Sequence, residues 1–136
     1  MNAERFQATL FTDGASKGNP GPASIGVLLQ NAKGNALAKI SERIGIATNN
    51  EAEYAALIRG LKEAKRLGLR RIRWHTDSQL LHRQWIGRYR VRSPRLQKLY
   101  AQAKLLAAQF DAVLPEHVHR TKNTKADALA NAAFHC

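Results

Sequence analysis

The apolar positions change their period several times along the chain. Residues 5–12 alternate enough to predict a strand. A second apolar run at 23–30, carrying Ile25, Val27 and Leu29, is followed by Asn31-Ala32-Lys33-Gly34-Asn35, a hairpin signal, and by a third strand over 37–47. The period then shifts to that of a helix. Tyr54, Leu57, Ile58, Leu61, Ala64 and Leu67 form one stripe, with Thr48, Asn49 and Asn50 as cap candidates and Gly68 as the stop. Residues 71–76 read as a strand with Ile72 and Trp74 on one face. Ser78 opens a helix expected to reach about residue 89. Ser93-Pro94 is a cap and first-turn proline for a helix running to about residue 110. A fifth strand is expected over 112–119, at a sheet edge because it contains Pro115, and Thr124 is expected to cap a last helix through 134.

The order is β-β-β-α-β-α-α-β-α. Three strands in a meander followed by strand–helix units predict an α/β fold with a five-stranded mixed sheet, the first three strands antiparallel, and helices on both faces. At 136 residues, with no linker, repeat or low-complexity tract, residues 1–136 are expected to form a single domain with no further binding domain before residue 1. No apolar run reaches a membrane-spanning length and the first six residues lack a signal pattern, so a cytoplasmic protein is expected. The lone cysteine, Cys136, can form neither an internal disulfide nor a zinc cluster.

Charge adds the first functional hint. Lys and Arg number 22 against 10 Asp and Glu, a net charge of +12. Such a surface attracts polyanions with a steep salt dependence, which suggests nucleic acid. The densest basic stretch holds Arg83, Arg88, Arg90, Arg92 and Arg95, with Trp85 and Tyr89 between them. It reads either as a surface for a DNA strand or as a solvated face beside a core tryptophan.

Against this background four acids stand where strands end or helices begin: Asp13 after the first strand, Glu53 early in the first helix, Asp77 after the fourth strand and Asp127 at the start of the last helix. If the first and fourth strands are neighbours, Asp13 and Asp77 lie side by side. Four crowded carboxylates repel one another unless cations neutralise them, and such oxygen donors select Mg²⁺ or Mn²⁺. Each acid taken alone is equally at home as a turn former, a helix-dipole partner or part of a cap. Spacing permits a cluster and does not require one.

The motifs around these acids resemble the ribonuclease H type 1 family over essentially the whole chain. Residues 12–21 read TDGASKGNPG, 48–53 read TNNEAE, 76–79 read TDSQ and 117–131 read HVHRTKNTKADALAN, in the family's order. The form is the bacterial and archaeal one that lacks an extra basic loop after the second helix. The resemblance implies a hydrolase, an endonuclease that cuts the RNA strand of RNA–DNA hybrids by a two-metal mechanism and leaves 5′-phosphate and 3′-hydroxyl ends. It implies that Asp13, Glu53, Asp77 and Asp127 hold two Mg²⁺ ions, for which Mn²⁺ can substitute, with Asp127 the most mobile of the four. His117 matches the family's loop histidine, a catalytic residue, with His119 and Arg120 close behind it. Ser16, Asn19, Thr48, Asn50 and Gln79 fall on substrate-binding positions, and Trp85 and Tyr89 are taken as substrate contacts with the basic stretch. The expected partner is an RNA–DNA hybrid, read by shape and 2′-hydroxyl contacts. No membrane and no obligatory protein partner are expected, and the chain is expected to be a monomer. The alternative is a binding module on the same fold that holds hybrid or double-stranded nucleic acid without cutting it.

Overall fold

A computed structural model describes residues 5–135. Cys136 and most of the amino-terminal segment read for a signal therefore lie outside the described residues. Five strands, β1 (Ala8–Ser16), β2 (Gly21–Asn31), β3 (Ala36–Ala47), β4 (Arg71–Thr76) and β5 (Ala112–His117), form one sheet in the order β3-β2-β1-β4-β5. The first three pair antiparallel, and β4 runs parallel to both β1 and β5. The helices are α1 (Asn49–Arg66), α2 (Gln79–Trp85), α3 (Pro94–Ala107) and α4 (Thr124–Ala132). The expected mixed sheet, with its antiparallel meander and Pro115 on an edge strand, is the one observed. Among the described residues no helix is long and apolar enough to cross a membrane.

Alternation along the strands divides the core between two faces. Leu10, Val27, Leu29, Ile72 and Trp74 pack with Tyr54, Leu57 and Leu61 of α1 and with Ala103 of α3. The other face carries α4, which approaches the sheet so closely that a Cβ on Gly26 would lie 2.1 Å from the Ala126 carbonyl oxygen. α1 starts in a capping box: Thr48 accepts from the Glu51 N–H, and Glu51 accepts from the Thr48 N–H. Its end is a Schellman turn. Gly68, at φ +79°, donates to Lys65 and Leu69 donates to Ala64.

Several boundaries differ from expectation for identifiable reasons. β1 runs on to Ser16 because its antiparallel partner, not its own turn-rich composition, dictates extended backbone there. Asp13 is therefore inside a strand, and the loop shrinks to residues 17–20. α2 stops at Trp85 instead of residue 89, released by Gly87 at φ +83°. α3 stops at Ala107. β5 stops at His117, and a short 3-10 turn, Arg120–Lys122, follows it. Asn123, not Thr124, is the cap of α4, and its side chain makes no capping bond.

Candidate active site

Topology brings the acids together. Parallel pairing sets β1 beside β4, so Asp13 and Asp77, which follows Thr76 at the end of β4, meet at one end of the central strands. α1 crosses close to β1 because residue 14 is glycine. A Cβ there would lie 2.3 to 2.6 Å from backbone atoms of Ala52 and Glu53. This approach lets the Gly14 N–H donate to Glu53 Oε1 at 3.1 Å. One carboxylate oxygen from each of Asp13, Glu53 and Asp77 lies within 4.8 Å of the others. Asp127 stands beside this trio rather than inside it. With Asp13 and Asp77 it lines a cavity of about 330 Å³, shared with Gly14, Ala15, Ser16, Asn49 and Arg120.

The electrostatics follow from the crowding. Burial, then Asp77 and Asp127, push Asp13 from its ordinary 3.8 up to about 8, against the Gly14 N–H. Burial and the charges of Asp13 and Asp77 raise Glu53 well above the usual carboxylate range. A cluster that resists its own ionisation is one that cations would relieve. The donors are all carboxylate oxygens, a hard set that fits Mg²⁺ or Mn²⁺.

Asn123 ties the acids to the fold. It is 1% exposed. Its amide nitrogen donates to the Thr12 carbonyl at 2.9 Å and to Asp77 Oδ2 at 3.3 Å, and its Oδ1 is buried without a hydrogen-bond partner. It stands in the last sequence block, but its type alone said only cap or turn. Asn49 is also newly prominent. Its Oδ1 accepts from the Ser16 N–H at 3.1 Å, and its own N–H donates to Asn19 Oδ1 at 3.0 Å.

The remaining predicted residues divide. Ser16 lines the cavity, but its hydroxyl is committed to backbone carbonyls, including Ala47 at 2.8 Å. The Thr48 hydroxyl is engaged in the capping box. Asn50 sits half-buried in the first turn of α1, and Gln79 is exposed at the start of α2. His117 is exposed at the end of β5, and its ring lies 5.9 Å from that of His82. Arg120, not His117, lines the carboxylate cavity. His119 is engaged in the 3-10 turn, where it accepts from the Thr121 N–H.

Trp85 corrects an expectation. It is a core residue, 7% exposed, edge-on to Trp74 and Tyr100. Lys104 covers its ring, with Nζ 3.9 Å from the centroid. Its buried aromatic area is committed to packing and not to a DNA strand. Tyr89 is 45% exposed, accepts from Arg83 Nη1 at 2.6 Å and lies under that guanidinium. Arg88, Arg90 and Arg92 are exposed in the segment joining α2 to α3, and Arg95 pairs with Glu51 at the start of α1.

Comparison with known proteins places this site in a family. The model described as reverse transcriptase-like matches residues 11–133. A bifunctional protein of Mycobacterium tuberculosis is 48% identical over 130 residues, covering 95% of this chain and 36% of the relative. Ribonuclease HI of Halobacterium salinarum is 43% identical, covering 91% of this chain and 62% of that one. The chain thus spans about a third and under two thirds of these relatives. Ribonuclease H of Bordetella pertussis is 34% identical over 92% of this chain and 87% of its own length. Among solved structures, RNase H1 of Halobacterium salinarum superposes with a TM-score of 0.91 at 41% identity, over 94% of this chain and 97% of that one. LC11-RNase H1, solved in complex with an RNA/DNA hybrid, superposes with a TM-score of 0.87 at 38% identity, over 93% and 95%. The family match over residues 11–133 and the superpositions on RNase H1 structures agree with the fold described above, and the chain belongs to the reverse transcriptase-like, ribonuclease H family.

Proposed function

We propose that residues 1–136 form one catalytic domain, an endonuclease that hydrolyses the RNA strand of RNA–DNA hybrids to 5′-phosphate and 3′-hydroxyl ends. The observation that carries this reading is the convergence of the Asp13, Glu53 and Asp77 oxygens within 4.8 Å, in a chain whose net charge is +12. A surface that only bound nucleic acid would gain nothing by setting buried negative charge against phosphates. The complex of LC11-RNase H1 with a hybrid supports the substrate class.

Asp13, Glu53, Asp77 and Asp127 would hold two Mg²⁺ ions, or Mn²⁺ in their place. Bound there, such ions supply the positive charge that activates a water and stabilises the leaving oxygen in phosphodiester cleavage. The chain's own groups fix the ligands. Gly14 restrains one oxygen of Glu53, and Asn123 restrains one oxygen of Asp77. Arg120 presents positive charge at the cavity where a phosphate would enter. His117, exposed at the end of β5, sits at the rim of this end of the sheet as a group that can accept and release a proton. Asn19 in the loop before β2, half-buried Asn50 in the first turn of α1 and exposed Gln79 at the start of α2 offer contacts to sugars and base edges. Ser16 and Thr48 contribute by shaping that surface through their backbone bonds. Tyr89, with the arginines of the α2–α3 segment, offers a surface for the DNA strand. The protein acts in the cytoplasm as a monomer, with no obligatory protein partner.

The test is a cleavage assay with Mg²⁺ on hybrid, duplex DNA and duplex RNA. Cleavage of the hybrid alone is expected. Asp77→Asn should bind hybrid as the parent does and lose at least ~100-fold in turnover, since it removes one charged ligand from the centre. Turnover that is unchanged in this variant, or hybrid binding without cleavage by the parent, would refute the assignment.

A further inference from the structure

We infer that His82 and His117 form a two-imidazole binding site for a borderline transition-metal ion of the Zn²⁺ or Ni²⁺ class, separate from the carboxylate cluster. The two rings come from different elements, His82 from the middle of α2 and His117 from the end of β5, and their centroids lie 5.9 Å apart with planes inclined at 39°. An ion of this class sits ~2.0–2.1 Å from each imidazole nitrogen, which places the two centroids about 5–6 Å apart over tetrahedral to slightly opened angles. The observed spacing falls at the wide end of that range, so the two rings are close enough to share one ion once their nitrogens turn towards it.

The surroundings of His82 favour a ligand role. Burial, then His117 and Arg83, lower the pKa of His82, and the Pro115 backbone beside the ring opposes that shift. A backbone carbonyl beside a metal-binding imidazole is a common means of orienting the ring. The donor set is nitrogen only, which favours zinc-class ions over Mg²⁺, in contrast to the carboxylate cluster. Two protein ligands leave positions for water, as in open sites. Arg83 is the neighbouring cation that opposes the ion, and it is drawn instead towards Tyr89.

Seating an ion here would withdraw His117 from hydrolysis. That consequence rests on the role proposed for His117 above, and the binding test does not depend on it. The chain is stripped with chelator, placed in excess MgCl₂ to saturate the carboxylates, and titrated with ZnCl₂ by calorimetry, with imidazole proton shifts followed by NMR. One equivalent should bind with micromolar affinity and move the His82 and His117 signals. His82→Gln and His117→Gln should each weaken binding at least tenfold, while His75→Gln and His119→Gln should not. Circular dichroism establishes that each variant is folded. The inference fails if the parent binds no zinc under excess Mg²⁺. It also fails if His82→Gln binds as tightly as the parent, or if His75→Gln is the variant that abolishes binding, which would move the ion to His75 and Glu116, whose Nε2 and Oε1 lie 3.1 Å apart.

Discussion

Replacing Asp13 by asparagine should stabilise the metal-free protein at alkaline pH, and the size of the effect can be worked from the site. Asp13 is 6% exposed, and its carboxyl is raised from an ordinary 3.8 to about 8, first by burial and then by Asp77 and Asp127. An acid with a raised folded pKa binds its proton more tightly in the folded protein than in the unfolded chain. Its protonated form favours folding below pH 3.8, and that contribution is lost as pH rises towards 8. Between pH 5 and pH 8 the loss from this one site is about 4 kcal/mol, at about 1.4 kcal/mol per pH unit. Glu53 is raised for the same reasons and titrates with Asp13, so the observed loss belongs to the group and not to one carboxyl. Other groups do not mimic the signal. Glu63 and Asp111 are held low by Arg66 and Arg70, and their stabilisation is lost only as pH falls below about 4. His82, lowered from 6.5 by burial, acts in the opposite direction but does so equally in parent and variant. Urea unfolding followed by circular dichroism in EDTA, from pH 5 to pH 9, measures the slope. The parent should lose several kcal/mol over this range and Asp13→Asn most of it less, so that the two curves diverge with rising pH. Mg²⁺ added at pH 8.5 should restore the parent more than the variant. Parallel curves, or a variant less stable than the parent at pH 8.5, would refute the reasoning.

Four further perturbations test the frame around the site. Gly26→Ala places a Cβ 2.1 and 2.5 Å from backbone atoms of Ala126 and Ala130, which cannot rotate away. It should cost about 2–3 kcal/mol in urea unfolding and reduce hydrolysis by shifting α4 and with it Asp127. Asn123→Leu leaves the buried Thr12 carbonyl without its donor and frees Asp77, and should cost about 1–3 kcal/mol, measured by thermal and urea melts. Trp85→Ala should cost about 3–5 kcal/mol as a core truncation. Tyr89→Ala should change stability by no more than about 0.5 kcal/mol and weaken hybrid binding at low salt, which fluorescence anisotropy reads.

The sheet was legible in the sequence because alternation and hairpin chemistry are local signals. Ile72 and Trp74 share a face as their spacing requires, and Gly68 ends α1 in the turn that glycine favours. The boundaries that escaped were set by partners distant in sequence. Nothing within residues 13–16 says that they are extended; residues 23–26 say it, through the ladder. Trp85 could not be assigned to core or surface from its basic neighbours, because the choice depends on Trp74, Tyr100 and Lys104 arriving from other elements. The four acids were legible as candidates and through family blocks, but their closeness was not, since it depends on the parallel β1–β4 pairing and on the missing side chain at Gly14. The role of Asn123 was hidden for a related reason. A residue in the cap position ordinarily bonds its own helix, whereas this one reaches across to β1 and to Asp77.

That exchange bears on how Asp127 is placed. α4 has nine residues, too few to be stable alone, and lacks a side-chain cap at its start. Its position must come from the sheet. At its far end Ser24 and Ser41 donate hydroxyl protons to the carbonyls of Ala130 and Leu129, both at 2.5 Å, and Arg43 donates to Ala133 at 2.8 Å. These bonds satisfy carbonyls that a helix terminus leaves unpaired, and they come from β2 and β3, remote from the acids. At its near end Asn123 supplies the side-chain hydrogen bonds, and Ala126 packs against Gly26. The helix is therefore held by side-chain bonds from two strands at the end away from the cavity, and by Asn123 and one close packing contact at the end that carries Asp127. That asymmetry predicts more freedom for Asp127 than for Asp13, Glu53 and Asp77, whose backbone belongs to β1, to the long α1 and to the end of β4, and side-chain carboxyl relaxation measured by NMR checks it. It is also a physical reason for Asp127 to line the cavity beside the trio rather than complete it.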